Sequence, residues 1–455
     1  MPPFLMLFLC TVFVIVLLRI ERKQSPAVSS ALWLPTVWIL LAASRPLSSW
    51  FGVYGADIES GSPLDRIVLL AFFLAAVVIL AGREFDWVRA FRENSWVILL
   101  IFYELVSICW SEIPYVSLKR WTREIIVIPM AFVVLSEVWP RQALQCIFRR
   151  TIYILIPFSV VLVKYFPAYG VEYSWSGGRA WTGVALSKNG FGRLCLIASF
   201  FLIWTLIRRW KKRDIPVVKY QTSIEVFLLL ITLWLMKGPP GAYSATAMGA
   251  MVFGLAVMFG LFWLRRRNRY LSPAITATVI IVVITVGTLT PFFQGSTLSS
   301  LTSIMGRNET FTGRTDIWEV LVPAAMKYPI WGYGVGGFWT TQAVAEAFKI
   351  NEAHNGYLDV ILHYGFVGLL LTSMLMLSIC RKAHRDLTFD YDWGALSICF
   401  LLMLVLSNIT ESSIHVLSNY FTAVLIFLSI CSRHVVLYPA WGRPFLKAGR
   451  IEGEA

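Results

Sequence analysis

Long runs of apolar residues recur along the whole chain, and a short polar or charged segment separates each run from the next. Several runs are shorter than the ~20 residues that a helix needs to cross ~30 Å of hydrocarbon, so flanking aromatic residues must complete them. The pattern predicts an all-α fold, a polytopic transmembrane helix bundle with about 12 or 13 spans. The predicted spans are 4–20, 31–43, 67–81, 96–109, 125–136, 151–163, 190–207, 224–236, 245–264, 271–290, 357–380, 394–410 and 420–432.

The composition agrees with this pattern. Of the 455 residues, 57% are hydrophobic and the mean hydropathy is +0.68, whereas soluble domains average about 45–50% apolar residues. The seven cysteines lie mainly within or beside the apolar runs, and their spacing resembles neither a metal site nor a disulfide framework. We therefore expect cysteines that serve packing.

Basic residues are concentrated in alternate connections. The runs RRWKKR at 208–213 and RRRNR at 265–269 fall on one predicted side, which the positive-inside tendency makes cytoplasmic. The inner connections hold 26 Lys and Arg against 12 Asp and Glu, and the outer ones hold 14 against 14. The net charge of +14 therefore follows from topology and indicates no nucleic-acid partner. The first run lacks a basic start and a cleavage site, so we expect a retained helix with its N-terminus outside.

One outer connection is much longer than the others. We predict ten spans within 1–290, a long extracytoplasmic loop at 291–356, the last spans within 357–432 and a cytoplasmic tail at 433–455. The loop is too long for a passive linker, so we expect short helices and a lid or binding function. A helix is predicted over 316–327, with Pro329 after it. The GYGVGGF run at 332–338 follows no predicted strand, which favours a tight turn over a nucleotide-binding loop.

Polar residues at the start of the next helix are candidates for a site. Asn355, Asp359 and His363 are spaced four residues apart and form one stripe that runs into the membrane, where ionisable groups usually mark a function. Two interpretations remain open, because Asp359 and His363 could instead pair with each other. His354 lies where the loop meets the bilayer, and the same loop supplies Arg314.

Several cations are retained on the outer side against the charge bias. They include Arg179 in GGRAW, and Lys188 and Arg193 in KNGFGR, where Asn189 shares a helix face with Arg193. Anchoring at the membrane surface explains some of them. If several converge, they form a phosphate-binding site, which suits the forked guanidinium of Arg. In the long loop, Asp316 either orients the neighbouring Arg or caps its own helix.

These segments resemble the core of the bacterial O-antigen ligase and O-antigen polymerase family. The resemblance rests on GRTDIW at 313–318, on the turn at 329–338, on HN at 354–355 leading into LDVILHYGFVG, and on KN at 188–189. SRPLSSW at 44–50 and WSEIPYVSLKRW at 110–121 resemble the branch of this family that is associated with exopolysaccharide production.

The resemblance implies a membrane enzyme of the glycosyltransferase type at the periplasmic face of the bacterial inner membrane. Its donor would be a glycan on undecaprenyl diphosphate. Its acceptor would be a sugar of lipid A-core for a ligase, or another repeat unit for a polymerase, and the sequence leaves this choice open. The resemblance implies no cofactor, no metal and inversion of the anomeric centre. The implied site residues are His354 and Arg314 for catalysis, Arg179, Lys188, Asn189 and Arg193 for the diphosphate, and Asp316, Asn355 and Asp359 in support.

The residue chemistry fits such a transfer. An attacking hydroxyl must lose a proton, which a His with a pKa near ~6.5 can accept, and fixed cations stabilise a departing diphosphate. One departure concerns the helix start at Ser244, because many family members carry an Arg where this chain has Ala245. Lys237 or Arg193 would then have to serve. Two other functions stay open, a transporter of lipid-linked glycans and a non-catalytic member of a polysaccharide assembly complex. The crowding of charges on the outer side favours the enzyme.

Overall fold

The fold was analysed in a computed structural model that describes residues 2–25, 27–53, 62–173, 178–211, 220–240, 242–293, 309–339 and 352–432, with the backbone alone at 309–313, 315 and 316. Nearly all of the regular structure in these residues is helical, which confirms the predicted all-α class. The helices are α1 (Pro3–Gln24), α2 (Trp33–Ala43), α3 (Leu47–Phe51), α4 (Pro63–Ala81), α5 (Trp87–Glu93), α6 (Ser95–Val106), α7 (Pro114–Ile125), α8 (Val127–Leu135), α9 (Pro140–Tyr165), α10 (Pro167–Gly170), α11 (Lys188–Lys211), α12 (Gln221–Lys237), α13 (Ala245–Arg266), α14 (Pro273–Leu289), α15 (Glu309–Lys327), α16 (Gly356–Phe389), α17 (Tyr391–Ser407) and α18 (Tyr420–Ile430).

Short elements complete the chain. Three 3-10 turns lie at Ser30–Leu32, Ser107–Trp110 and Thr290–Phe292. Strands β1 (Val171–Tyr173) and β2 (Arg179–Trp181) form an antiparallel hairpin in which Val171 lies opposite Trp181. The Trp181 ring contacts the Trp234 ring of α12, with centroids 4.6 Å apart, so the hairpin packs on the end of that helix.

Within the described residues, seven helices are long and apolar enough to span a membrane: α1, α4, α9, α11, α13, α14 and α16. An eighth candidate is the pair α5 and α6, which bends by 84°. This number is lower than the 12 or 13 spans predicted, because several predicted spans are shorter or broken helices. The run at 125–136, for example, contains the nine residues of α8, and all nine but Pro129 are buried in protein. Buried segments can stay short because neighbouring helices cover their polar backbone.

The helices form an inner and an outer group. Nearly every residue of α17 and α18 is buried, and most of α9 and α11 is buried as well. In contrast, α1, α4 and α13 expose large apolar side chains such as Phe4, Val78 and Val252. Such extensive apolar exposure is the surface that lipid covers in a membrane protein.

Charged side chains collect at the two ends of the bundle. Among the described residues, ion pairs between different segments join only segments that the predicted topology places on the same side. Examples are Arg150 with Glu21 at 3.0 Å, Arg141 with Asp386 at 2.7 Å, and Arg314 with Glu411 at 3.5 Å. This pattern supports the predicted alternation. We name the end with the 411–419 connection the site end.

Helix α15 is longer than the predicted 316–327 helix. It begins at Glu309, contains Pro323 and ends at Lys327, as expected. Helix α15 contacts α16 and the turn Thr290–Phe292, so this part of the long connection is anchored on the bundle. The rest of that connection, at 294–308 and 340–351, lies outside the described residues.

Candidate active site

The start of α16 is fixed by Asn355. Its Oδ1 accepts hydrogen bonds from the amides of Tyr357 (3.0 Å) and Leu358 (2.9 Å), which would otherwise lack partners. Its Nδ2 donates to the carbonyls of Gly287 (2.9 Å) and Ile409 (3.2 Å). One side chain therefore joins α16 to α14 and to the connection after α17. That Asn355 supports catalysis stays a prediction.

His354 precedes this cap in a left-handed backbone conformation, with φ of 52°. Few residues other than glycine adopt this region, and the surrounding structure must hold them there. The His354 Nδ1 lies 3.1 Å from Glu352 Oε1, and 29% of the side chain is exposed. The contact with Glu352 raises the pKa of His354, although burial acts in the opposite direction. The imidazole is thus accessible and more basic than usual.

A second charged pair lies beside the first. Arg314 of α15 places Nη2 3.5 Å from Oε1 of Glu411, a buried residue in the connection after α17. Burial raises the pKa of Glu411, while the nearby charges of Arg193 and Arg314 oppose that shift. The structure therefore brings Arg314 and His354, both predicted as catalytic, into one cluster at the site end.

The cluster also has the donor set of a cation site. One ligand-type atom from each of Glu352, His354 and Glu411 lies within 4.8 Å of the other two. Two carboxylates and an imidazole at this spacing suit a divalent ion. The Arg314 guanidinium already gives Glu411 a positive partner, so the carboxylates are balanced by side chains. Metal independence stays a prediction that removal of cations would test.

Asp359, one turn into α16, connects three segments of the site. Its Oδ1 accepts from Trp339 Nε1 (2.7 Å), and its Oδ2 accepts from Ala353 N (3.0 Å) and from Ser412 Oγ. Trp339 directly follows the glycine-rich turn, Ala353 directly precedes His354, and Ser412 directly follows Glu411. Asp359 is fully buried, so it acts as an internal anchor.

The histidine of the predicted polar stripe contacts the backbone of α16. His363 Nδ1 lies 2.8 Å from the Asp359 carbonyl oxygen, so the hydrogen bond goes to the main chain and not to the carboxylate. The His363 ring stacks on His415, with centroids 5.1 Å apart and an interplanar angle of 23°. Burial lowers the pKa of His415 to about 4, which keeps this imidazole neutral at physiological pH. The stack attaches the 411–419 connection to α16.

The glycine-rich run at 332–338 is a turn, as predicted, and it docks into a break in α16. Gly365 interrupts that helix with φ of 62°, and a Cβ there would overlap the Ile330 carbonyl. The freed carbonyls of Leu362 and His363 accept from the amides of Tyr333 (2.9 Å) and Gly334 (2.8 Å). In return, the Phe366 amide donates to the Pro329 carbonyl (2.7 Å). The turn thus satisfies backbone groups that a break in a membrane helix would leave unpaired.

The first turns of α11 and α13 border the same connection. Arg193 Nη1 donates to the Ser412 carbonyl at 3.0 Å, and the hydroxyls of Thr246 and Thr410 lie 2.9 Å apart. Arg193 is therefore the predicted diphosphate residue that reaches the site. Ala245, where the resemblance led us to expect an Arg in many family members, directly precedes Thr246.

Three predicted residues are not joined to the cluster by described contacts. Arg179 begins β2 and Lys188 begins α11, and both are exposed. Asn189 follows Lys188 and is half-buried. Within the described part of the chain, no hydrogen bond or ion pair links these side chains to His354. Their roles stay predictions.

The predicted contact between Asp316 and Arg314 falls on a side chain outside the described residues. The partner that the structure gives Arg314 is Glu411. The sequence analysis missed Glu352, Glu411 and His415. The signal for the last two was the polar run ESSIH at 411–415 in a short outer connection.

Comparison with known proteins gives two matches. Residues 226–373 match a family model described as O-antigen ligase. The exopolysaccharide production protein ExoQ of Rhizobium meliloti (strain 1021) is 20% identical over 316 residues, which are 66% of this chain and 68% of that protein. These matches agree with the predicted resemblance to this family and support a role in polysaccharide biosynthesis. The family match includes Arg314 and His354.

Proposed function

We propose that this chain, whose residues 226–373 match the O-antigen ligase family, transfers a glycan from a polyprenyl diphosphate to a sugar hydroxyl. The donor would be the undecaprenyl form and the active centre the cluster at the site end. The observation that carries the proposal is the accessible His354 imidazole, which contacts Glu352 and shares a cluster with the Arg314 and Glu411 pair. A base beside fixed cations supports a transfer in which no metal takes part.

The reaction is a single displacement. The acceptor hydroxyl oxygen forms a bond to the anomeric carbon, the bond from that carbon to the diphosphate oxygen breaks, and the hydroxyl proton passes to His354. Attack from the face opposite the leaving group inverts the anomeric centre. The carboxylate of Glu352 stabilises the imidazolium that forms, as its effect on the pKa of His354 indicates. A base of this kind contributes about 10²–10⁴ in rate.

Cations at the site end stabilise the departing diphosphate. Arg193 and Arg314 are both held by described contacts with the 411–412 segment. Fixed cations of this kind lower the barrier because they need no reorganisation as charge develops. Each also touches an oxygen of the protein, so a doubly charged diphosphate requires further positive charge. The exposed Arg179 and Lys188 are the proposed sources.

We place the site end at the periplasmic face of the bacterial inner membrane, because the basic connections lie at the opposite end. The acceptor is another glycan repeat in a polymerase, or a lipid A-core sugar in a ligase. The similarity to an exopolysaccharide production protein favours a polymerase. The experiment below also tests the two alternative functions, a transporter of lipid-linked glycans and a non-catalytic scaffold within a polysaccharide assembly complex.

The test compares two histidine variants in purified protein supplied with a polyprenyl diphosphate glycan and an acceptor glycan. His354→Ala should reduce product formation by about 10²–10⁴-fold, because the base is lost. His384→Ala is the matched control. This buried residue lies near the opposite end of α16, where its Nε2 contacts Thr276 Oγ1 at 2.9 Å. Its loss should affect stability without affecting the chemistry.

Product formation by His354→Ala at the rate of the unaltered protein would remove His354 as the base. Donor movement across vesicles without any glycosidic bond would favour the transporter. If the folded, unaltered protein neither forms product nor moves the donor, the scaffold is favoured and the transfer proposal fails. Assays with both acceptors separate polymerase from ligase.

A further inference from the structure

An apolar groove runs along the outside of the bundle between α14 and α16. Its volume is about 340 Å³, and it is lined on α14 by Ile281, Ile284 and Leu289 and on α16 by Phe366, Leu370 and Leu377. Several of these side chains are exposed, including Leu289, Phe366 and Leu370. The groove therefore opens sideways, toward the surface that lipid covers.

The groove begins next to the candidate active site. Thr288 lines its upper part and directly follows Gly287, whose carbonyl accepts a hydrogen bond from Asn355, the residue after His354. From there the groove follows α14 from 289 down to 281, a distance of roughly 12 Å at 1.5 Å per residue. A linear molecule with its polar end at the cluster would thus lie along the groove.

The hydroxyl of Thr288 lines the groove and is not bonded to its own helix. A threonine inside a helix commonly donates to the carbonyl four residues earlier, as Thr290 does to Val286 at 2.7 Å and Ser373 does to Leu369 at 2.7 Å. The Thr288 side chain is about nine-tenths buried, yet its Oγ1 has no hydrogen-bond partner among the described residues. A buried hydroxyl without a partner is costly, and this one lines the groove, so it is available to an oxygen of a molecule bound there.

We propose that this groove binds the isoprenoid chain of a polyprenyl diphosphate donor, with Thr288 hydrogen-bonded to an oxygen at the polar end of the donor. The proposal rests on the proposed function, which supplies a donor of this chemistry. Apolar walls exclude the sugar and the diphosphate from the groove. The polar donor end is held at the cation-bearing cluster, while the chain enters from the lipid side.

The first experiment needs no catalysis. A photoreactive polyprenyl monophosphate is cross-linked to the purified full chain in nanodiscs, and the labelled peptides are mapped. Labelling is expected within 281–289 or 366–377. Thr285→Trp, on the groove wall, should reduce labelling about tenfold, since bulk there displaces buried methylenes. Val282→Trp is the control, because this exposed residue of α14 does not line the groove.

The second experiment compares donors with short and long prenyl tails. In the unaltered protein KM should fall as the tail lengthens until the groove is filled, and Thr285→Trp should remove this dependence. Val282→Trp, outside the groove lining, should keep it. Thr288→Val should raise KM about five- to tenfold for all tails, as expected for a lost hydrogen bond. Thr290→Val, whose hydroxyl is already bonded to the helix, should not.

Labelling elsewhere, or equal labelling of Thr285→Trp and the unaltered protein, would overturn the proposal. So would complete competition by phosphatidylglycerol vesicles, since the groove would then bind ordinary bilayer lipid. Groove labelling without transfer from any prenyl donor would leave the groove assignment intact and refute the proposed function. Transfer that does not depend on tail length, without groove labelling, would refute the groove assignment and leave the proposed function intact.

Discussion

The carboxylate of Asp359 is the most informative side chain to alter, because it holds three segments of the site together without reaching the substrate. It is fully buried and accepts from Trp339 Nε1 at 2.7 Å, from Ala353 N at 3.0 Å and from Ser412 Oγ. Asp359→Asn keeps the shape of the side chain and replaces one accepting oxygen with a donating amide group. That amide group must then face at least one donor of the protein.

The expected cost follows from the number of lost bonds. The amide oxygen can replace either Oδ1, with one bond, or Oδ2, with two, so one or two bonds are lost. A hydrogen bond to a charged group contributes about 1.5–3 kcal/mol, so losing one or two predicts a destabilisation of about 1.5–6 kcal/mol. Because Ala353 directly precedes His354, we also expect the imidazole to move. A displacement near 1 Å can reduce the rate of a positioned reaction by about 10²-fold.

The assay measures thermal unfolding of the purified protein and glycan transfer at a temperature where each variant is folded. Asp386→Asn is the matched control, because Asp386 is also buried on α16, near its opposite end, where Oδ1 contacts Arg141 Nη2 at 2.7 Å. Both variants should melt earlier than the unaltered protein, and Asp359→Asn alone should lose kcat while folded. An Asp359→Asn protein with unaltered melting and unaltered kcat would refute the anchoring role.

Three further predictions concern the same site. Since a base acts when deprotonated, activity should rise with pH through the pKa of His354, which Glu352 holds above the usual value of about 6.5. Glu352→Gln should shift this rise to lower pH. A pH–rate profile that does not move would contradict the pairing of Glu352 with His354. Gly365→Ala should destabilise the fold by more than about 1–3 kcal/mol in thermal or denaturant unfolding, because φ is 62° and the new Cβ meets the Ile330 carbonyl; Gly260→Ala, with open space around it, should not. Transfer should survive EDTA, because guanidinium groups already balance the carboxylates, and loss of activity that Mg²⁺ restores would show a cation requirement.

The sequence alone was sufficient for the membrane class, the helical architecture and the resemblance to the O-antigen ligase family. Apolar runs of membrane length require helices, since lipid cannot satisfy a free backbone, and the basic connections divide the chain into two alternating sides. Among the described residues, the ion pairs between segments join segments on the same predicted side. Short local patterns also located His354, Asn355, Asp359 and the glycine turn, because each lies within one stretch of chain.

The tertiary structure decided which distant residues meet. Arg314 and Glu411 pair although 97 positions separate them, and neither apolar periodicity nor charge counts encode that contact. Periodicity also cannot distinguish a helix that lipid surrounds from a shorter one that other helices bury, so only the structure showed which predicted spans are long helices. The break at Gly365 and the turn that docks into it likewise depend on two segments meeting in space. The local sequence pattern determines whether a segment forms a helix or a turn, whereas the partner of a buried charge depends on which segments pack together.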